Sequence, residues 1–193
     1  MYQPFQIGKR FRVVPPGTPA RPGCLDLMME RGAFGSGEHE TTHSCLELLE
    51  DLPAVQRADL LDLGSGTGIL SIAAFRLGAA SATCVDISPA AVDNCRHNCR
   101  LNGCAGQVSH VTGSLNDLAA RNFDLALANI YGDLLLQFAV ELAGRVRPGG
   151  WLLLSGILWE DNFAVRQEYE SAGCRVRRNH MLEEYSTILL QKS

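Results

Sequence analysis

The sequence predicts an α/β fold in which a mostly parallel sheet of seven strands, one of them antiparallel, lies between two layers of helices. Short apolar runs alternate with segments of helical apolar spacing through most of the chain. A glycine-rich turn joins the apolar run 60–63 to a helical segment. Two strand-like runs near the end, 175–179 and 185–191, follow each other as in a hairpin, and this places one antiparallel strand in the sheet.

The 193 residues are enough for a single domain, with a proline-rich lead-in over 1–31 and a core over 32–193. No apolar run approaches the roughly 20 residues of a membrane span and no signal peptide is recognisable, so we expect a cytoplasmic protein without membrane contact. The net charge of −4 comes without a basic block. This argues against direct binding of nucleic acid and favours a basic partner such as a lysine-rich protein.

The lead-in contains five prolines within residues 1–23, which interrupt regular hydrogen bonding. We expect it to lie on the surface or to be partly extended, with short strands over 11–14 and 24–28. A glycine-containing loop, 32–42, follows and leads into a helix. Its glycines allow close approach to a ligand.

The sequence predicts no metal site. Residues 39–43 match the zinc-protease motif H-E-x-x-H, but they straddle a loop and a first helical turn, where Thr41 and Thr42 are candidate caps. The seven cysteines are an odd number without a C-x-x-C pair, so we interpret them as reduced core thiols. His97 does not share the helix face of Cys95 and Cys99, which argues against a site there.

The glycine turn after residue 63 predicts a cofactor cradle. Gly64, Gly66 and Gly68 let the backbone approach a ligand, and the following helix presents free N–H groups. Ile69 stands where the dinucleotide fingerprint G-x-G-x-x-G has its third glycine. The cofactor is therefore expected to be a different nucleoside, although a plain strand-to-helix connection gives a similar pattern.

A second apolar strand, 82–86, ends in a carboxylate about twenty residues after the turn. At the tip of the second strand of a βαβ unit, Asp86 can accept hydrogen bonds from both ribose hydroxyls. An Asp before Ser-Pro is also a common helix cap. The joint spacing of turn and carboxylate favours S-adenosylmethionine and the Rossmann-like fold of class I methyltransferases that use it.

The later elements follow from apolar spacing and stop signals. We expect helices over 89–101, 133–146 and 160–172, and strands over 107–111, 123–129 and 151–156. In the loop after the third of the core strands, Ser114 and Asp117 are candidates to hold an adenine, against the alternative of an ordinary surface loop. Asn129 ends an apolar strand at the crevice, where its amide oxygen could accept hydrogens from an amine or cap the next helix. Tyr131 could line the acceptor pocket or start that helix.

Two segments carry a resemblance to a known family: 33–42, AFGSGEHETT, and 62–70, DLGSGTGIL. Together with 129–130, 154–158 and 183–185, they resemble the catalytic domain of the ribosomal protein L11 methyltransferase (PrmA) family. The resemblance covers nearly the whole chain. Glu40 replaces the family's usual proline, and the family's separate amino-terminal substrate-recognition domain has no counterpart in these residues.

The resemblance implies roles for individual residues. Thr42 and the backbone of 34–37 would hold the methionine end of S-adenosylmethionine, while Asp86 would hold the ribose and Asn129 would face the methyl group. We assign the cofactor site to Phe34, Gly35, Gly37, Thr42, Asp62, Gly64, Gly66, Gly68, Asp86, Ile87, Ser114 and Asn129. We assign catalysis to Asn129, Ile130 and Tyr131.

The predicted function is S-adenosylmethionine-dependent N-methylation of a protein amine, a lysine or an amino terminus, with a ribosomal protein as the acceptor that the resemblance suggests. Alternative acceptors are a non-ribosomal protein, such as the electron-transfer flavoprotein beta subunit, or a small-molecule amine. A nucleotide-dependent oxidoreductase and a non-catalytic cofactor-binding module are alternatives of other classes. The missing third glycine argues against the oxidoreductase.

Overall fold

The computed structural model describes residues 2–30 and 37–193, and its amino-terminal part forms a three-stranded sheet. The strands are β1 (Phe5–Ile7), β2 (Phe11–Val14) and β3 (Leu25–Met28), with β1 antiparallel and β3 parallel to β2. The lead-in is therefore more ordered than its prolines suggest. Most of them lie between β2 and β3, so the strands keep their hydrogen bonds, and Phe11 and Leu27 are fully buried.

Seven further strands form the main sheet. They are β4 (Asp59–Leu63), β5 (Ser81–Asp86), β6 (Val108–Thr112), β7 (Phe123–Asn129), β8 (Val146–Leu158), β9 (Cys174–Met181) and β10 (Tyr185–Lys192). Their order is β6-β5-β4-β7-β8-β10-β9, and β10 alone runs opposite to the other six strands. The predicted fold class is confirmed. The strand order reverses between β4 and β7, which is where a ligand crevice forms in open α/β sheets.

Six helices in the described part of the chain cover the sheet. They are α1 (Glu40–Glu50), α2 (Ile69–Arg76), α3 (Pro89–Leu101), α4 (Gly132–Gln137), α5 (Ala139–Arg145) and α6 (Trp159–Ser171). α3 has the predicted bounds, with Ser88 as N-cap and Pro89 in its first turn. The helix predicted over 133–146 is instead broken at Phe138, which caps both α4 and α5. None of these helices is long and apolar enough to cross a membrane.

The core lies in two layers because neighbouring strand residues face opposite sides of the sheet. On β4, Leu60 packs with the helical layer of α1, α2 and α3, whereas Leu61 packs with the layer of α4, α5 and α6. The small amino-terminal sheet joins the first layer through Phe11 and Leu27. This three-layer arrangement exposes the carboxyl ends of β4, β5, β7 and β8 at one edge.

Candidate active site

The turn between β4 and α2 follows the three predicted glycines. Gly64, Gly66 and Gly68 have φ angles of 71°, 53° and 79°. These angles lie in the left-handed region, which glycine adopts without the steric cost of a Cβ. Gly68 is the N-cap of α2, so the free N–H groups of that helix follow directly.

The three glycines differ in their surroundings. A Cβ on Gly64 would lie 2.3 Å from Cγ2 of Ile130, and a Cβ on Gly68 would lie 2.6 Å from Sγ of Cys95. A Cβ on Gly66 would meet no heavy atom closer than the Gly64 carbonyl oxygen, at 4.0 Å. Gly66 therefore borders open space that a ligand could fill. Gly64 and Gly68 serve close packing, and the Gly68 N–H already donates to the Ser65 carbonyl oxygen.

Asp86 at the end of β5 is held beside this turn. Its Oδ2 accepts a hydrogen bond from the Gly66 N–H and its Oδ1 accepts one from the Ser88 N–H, both at 2.9 Å. A carboxylate has about four lone-pair sites, so both oxygens can still accept hydrogens from a vicinal diol. Ile87 exposes 78% of its surface next to this carboxylate and offers an apolar side chain on which a flat ring could lie.

Asp62 lies beneath the turn and is only 2% exposed. Ser71 on α2 donates its hydroxyl to Oδ2 of Asp62 at 2.7 Å. Burial raises the pKa of Asp62 to about 7, although the Ser71 hydrogen bond acts in the opposite direction. The hydrogen bond between Asp62 and Ser71 links β4 to α2 and so stabilises the turn between them.

The first turn of α1 is capped by His39. Its Nδ1 accepts from the Thr41 N–H at 3.3 Å, so the expectation that Thr41 or Thr42 would be the cap is wrong. Imidazole can replace the usual hydroxyl here because Nδ1 reaches the same N–H group. His43 instead stacks on Phe5, with ring centroids 6.2 Å apart. His39 precedes the helix, which differs from the zinc-protease arrangement of two histidines within one helix.

The loop before α1 is described only from Gly37 onward. Phe34 and Gly35, both assigned to the cofactor site, lie outside the described residues. Gly37 is buried with a φ of 86°, and a Cβ there would lie 2.9 Å from Cδ1 of Ile69. Gly37 itself therefore packs closely against the start of α2, beside the glycine turn.

Thr42 and Asn129 meet at the crevice although 87 residues separate them. Nδ2 of Asn129 donates to Oγ1 of Thr42 at 3.4 Å. The contact turns the amide nitrogen toward α1, so Oδ1 is the remaining acceptor of this side chain. The residue assigned to the methionine end of the cofactor, Thr42 on α1, thus lies against the residue assigned to its methyl group, Asn129 at the end of β7, the strand next to β4.

Ile130 is enclosed between two glycines. Besides the Gly64 contact, its carbonyl oxygen lies 2.4 Å from where a Cβ of Gly156 would be. The Ile130 N–H donates to the Ser155 carbonyl oxygen at 3.2 Å, which continues the pairing of β7 with β8. Ile130 therefore positions the end of β7. Gly156, with a φ of 81°, is a site residue that the sequence indicated only within the resembling segment 154–158.

Large apolar side chains surround the outer part of the crevice. Tyr131 is 73% exposed at the start of α4, and Trp159 and Phe163 are 53% and 66% exposed on the first turns of α6. These two helices begin close together, since a Cβ on Gly132 would lie 3.0 Å from Oδ2 of Asp161. Tyr131, assigned to catalysis, thus lies at the mouth.

Ser114 has a local partner. Its hydroxyl and its N–H both contact Oδ2 of Asp117, at 3.0 and 2.8 Å, in a capping box. These hydrogen bonds hold the pKa of Asp117 below its usual range. The Gly113 N–H donates to the Asp86 carbonyl oxygen at 2.9 Å, so the loop lies beside the carboxylate. The loop is well placed to contact an adenine, but the Ser114 hydroxyl is already engaged in capping the turn.

Glu40 is a residue whose part in the site was missed. Its carboxylate accepts from the N–H groups of Glu183 and Glu184 at 3.0 and 3.3 Å and so ties the hairpin between β9 and β10 to α1. The signal in the sequence was that Glu40 replaces a proline usual in the resembling family.

Solved structures of methyltransferases share this fold, and two of them serve as examples. A ribosomal protein L11 methylase from Lactobacillus delbrueckii subsp. bulgaricus superposes with a TM-score of 0.88 at 24% identity, covering 100% of this chain and 99% of that chain. An RNA methyltransferase from Salinibacter ruber, in complex with S-adenosyl-L-homocysteine, superposes with a TM-score of 0.61 at 20% identity, covering 77% and 90%. At these identities the similarity establishes the fold alone.

Sequence comparison goes further. A ribosomal protein L11 methyltransferase of Geobacter metallireducens is 39% identical over an alignment of 193 positions, which covers 98% of this chain and 63% of that protein. The chain thus spans less than two thirds of the length of this curated relative. The family model described as "Ribosomal protein L11 methyltransferase (PrmA)" matches residues 1–193. Because this match covers the whole chain, the chain belongs to the ribosomal protein L11 methyltransferase (PrmA) family.

Proposed function

We propose that this chain is the catalytic part of a cytoplasmic methyltransferase that uses S-adenosylmethionine and methylates an amine of a ribosomal protein, on a lysine or at the amino terminus. The observation that carries the proposal is the hydrogen bond between Asn129 and Thr42. Asn129 ends β7, the strand next to β4, and β4 leads into the glycine turn. Family membership supports the same activity. When bound, S-adenosylmethionine supplies a methyl group on a sulfonium that is already activated for transfer.

The residues around Gly66 suit this cofactor. The open space beside Gly66 would be filled by any Cβ, and the Asp86 carboxylate can accept two more hydrogen bonds. Ile87 would lie against the adenine, and Thr42 would bind near the methionine end. The backbone N–H groups of the turn and the fixed Asp86 carboxylate would orient the cofactor before the acceptor binds.

Asn129 is proposed to align the acceptor amine. Its Oδ1 can accept a hydrogen from the amine, which points the nitrogen lone pair toward the crevice. A free lysine has a pKa near 10.4 and must lose a proton before it can attack. Since we identify no dedicated base in the sequence, we expect the rate to rise between neutral and mildly alkaline pH unless product release is limiting.

The mouth of the crevice suits a basic protein. Asp133, Glu160, Glu183 and Glu184 are exposed on the segments that follow β7, β8 and β9. Together with the exposed Tyr131 and the apolar groups of α6, they form an acidic and aromatic rim. Such a rim favours lysine-rich partners and disfavours a phosphate backbone. We infer that the partner is a protein and that nucleic acid is not bound directly.

Transfer of labelled methyl groups tests the proposal. Purified protein is given labelled S-adenosylmethionine and ribosomal proteins from a strain lacking this gene, and labelled bands are identified by mass spectrometry. We expect one labelled ribosomal protein, carrying the methyl group on nitrogen. Cofactor binding is measured separately by calorimetry.

The other outcomes discriminate among the alternatives. Absence of cofactor binding would reject a methyltransferase, and binding of NAD instead would indicate an oxidoreductase. Cofactor binding without any labelled acceptor would support a non-catalytic module. A labelled non-ribosomal protein or small amine would keep the activity and reject the acceptor.

A further inference from the structure

Three side chains of the kind that bind soft metal ions lie together behind the glycine turn. Cys84 on β5, Cys95 on α3 and His110 on β6 place their ligand atoms, two Sγ atoms and a ring nitrogen, all within 4.8 Å of one another. Both cysteines are free thiols and are buried. The cluster is therefore assembled by the fold from three separate elements.

Among the described residues, the buried Nδ1 of His110 has no hydrogen-bond partner. The buried Oγ of Ser65 lies beside the same cluster, within reach of the Cys95 thiol. A buried polar atom without a partner destabilises the folded protein, so such atoms usually bind a ligand or a water. His110 is only half-buried and β6 is an edge strand, which gives an ion a path to the cluster.

The three ligand atoms, two sulfurs and one ring nitrogen, determine which metal ion could bind. Thiolate and imidazole ligands suit zinc, whereas calcium and magnesium need oxygen ligands that this cluster does not supply. Zn–S and Zn–N bonds of about 2.3 and 2.0 Å set tetrahedral ligand separations of roughly 3.5–3.8 Å. Side-chain shifts of about 1 Å or less would bring ligand atoms within 4.8 Å to these separations. The fourth position is open to water or to the Ser65 hydroxyl.

We propose that Cys84, Cys95 and His110 bind one zinc ion that fastens α3 to the sheet behind the cofactor turn. Binding converts the two thiols to thiolates and releases two protons to the solvent. The Sγ of Cys95 lies against Gly68, and Cys84 precedes Asp86 by two residues. The ion thus supports both parts of the cofactor cradle. Asn129 lies two strands away from β5, so the ion does not take part in methyl transfer.

Metal titration of the reduced full chain tests this proposal. The protein is stripped with a chelator and titrated with zinc against a chromophoric competitor, and then with cobalt. We expect one zinc per chain with a Kd on the order of micromolar or below, release of about two protons, and a cobalt spectrum with thiolate charge-transfer bands. Calorimetry in buffers of different ionisation enthalpy counts the protons.

Variants locate the ion. Cys84→Ser, Cys95→Ser and His110→Gln should each weaken zinc binding by at least about tenfold, and the two cysteine variants should lower the thiolate band. Cys174→Ser and His97→Gln are matched controls, because Cys174 is a buried thiol on β9 and His97 pairs with Glu30 at 2.6 Å. Both controls should bind zinc as the unchanged protein does.

The proposal is overturned if the stripped protein shows no thiolate band with cobalt, or if zinc binds but none of the three substitutions weakens it. His110→Gln is the decisive variant, because this half-buried edge residue can be replaced with the least risk to folding. Circular dichroism confirms that each variant is folded before titration. These measurements need neither cofactor nor acceptor, so their outcome is independent of the proposed methyl transfer.

Discussion

The two halves of the crevice are built in different ways. Beside β4 and β5, backbone N–H groups of Gly66 and Ser88 fix the Asp86 carboxylate at 2.9 Å each. Beside β7 and β8, Asn129 is held through one side-chain hydrogen bond of 3.4 Å, and Tyr131 is 73% exposed. The first half is thus held by hydrogen bonds between its own atoms, whereas the second half is more open.

The difference follows from what each half is proposed to bind. A small cofactor of constant shape gains affinity from a preorganised site, because little conformational entropy is lost on binding. A protein acceptor has to enter and leave the crevice, and its own atoms can supply the contacts that the open half lacks. Substitutions in the first half should therefore affect cofactor binding or stability, and substitutions in the second half should affect turnover.

The largest effect is expected for Asp86→Ala, which removes the acceptor of two proposed ribose hydrogen bonds. Each hydrogen bond to a charged group contributes about 1.5–3 kcal/mol, so the cofactor Kd should rise by at least about 100-fold. Calorimetric titration with S-adenosylmethionine measures it. Asp93→Ala, at an exposed carboxylate on α3 that pairs with Arg96, is the control. A rise of less than fivefold for Asp86→Ala would mean that Asp86 serves the turn alone.

Asn129→Ala should lower kcat about 100-fold and leave the cofactor Kd within about threefold. The loss of one positioned polar group at a reacting atom typically has this size. Initial rates with saturating cofactor and the identified acceptor measure the effect, and Asn116→Ala, at an exposed residue of the loop after β6, is the control. An equal loss of cofactor affinity would remove the distinction between the two halves.

Gly64→Ala should destabilise the protein more than Gly66→Ala. The first substitution adds a Cβ 2.3 Å from Ile130, and both place a Cβ in the left-handed region. We expect a loss of about 3 kcal/mol in the free energy of unfolding for Gly64→Ala and about 1–2 kcal/mol for Gly66→Ala. Urea denaturation measures both. Ile130→Ala in the Gly64→Ala background should recover part of the loss, and failure to do so would place the strain elsewhere.

The sequence predicted best what is encoded locally. The glycine turn, the place of Asp86 at the end of β5 and the bounds of α3 follow from spacing within one βαβ unit, since periodicity and caps act over a few residues. The antiparallel strand followed from the closeness of two strand-like runs. The break at Phe138 was missed because α4 and α5 carry a continuous apolar pattern.

Contacts between distant segments could not be predicted from one sequence. Glu40 binds backbone N–H groups about 143 residues away, and its departure from the family pattern marked the position without naming its partner. The cluster of Cys84, Cys95 and His110 joins three elements, so no ligand spacing is visible along the chain. Such contacts depend on strand order and register, which local spacing does not determine.

A smaller effect is expected from Asp62, the one buried carboxyl group among the described residues. Its folded-state pKa of about 7 lies above the unfolded value of 3.8, so the folded protein binds more protons between these limits. Its burial therefore becomes more costly as pH rises from about 4 to about 7, by at most about 1.4 kcal/mol per pH unit, and stays constant above.

Asp62→Asn keeps a side chain that can accept from Ser71 but cannot ionise. From pH 5.5 to 8, the free energy of unfolding of the unchanged protein should fall by about 2 kcal/mol relative to this variant. Urea denaturation at both pH values measures the difference, with Asp93→Asn at an exposed position as control. A difference that is equal at both pH values would show that Asp62 is already ionised in the folded protein at pH 5.5. The cofactor half would then hold a buried negative charge beneath the turn, which favours a cationic ligand more strongly than a neutral carboxyl does.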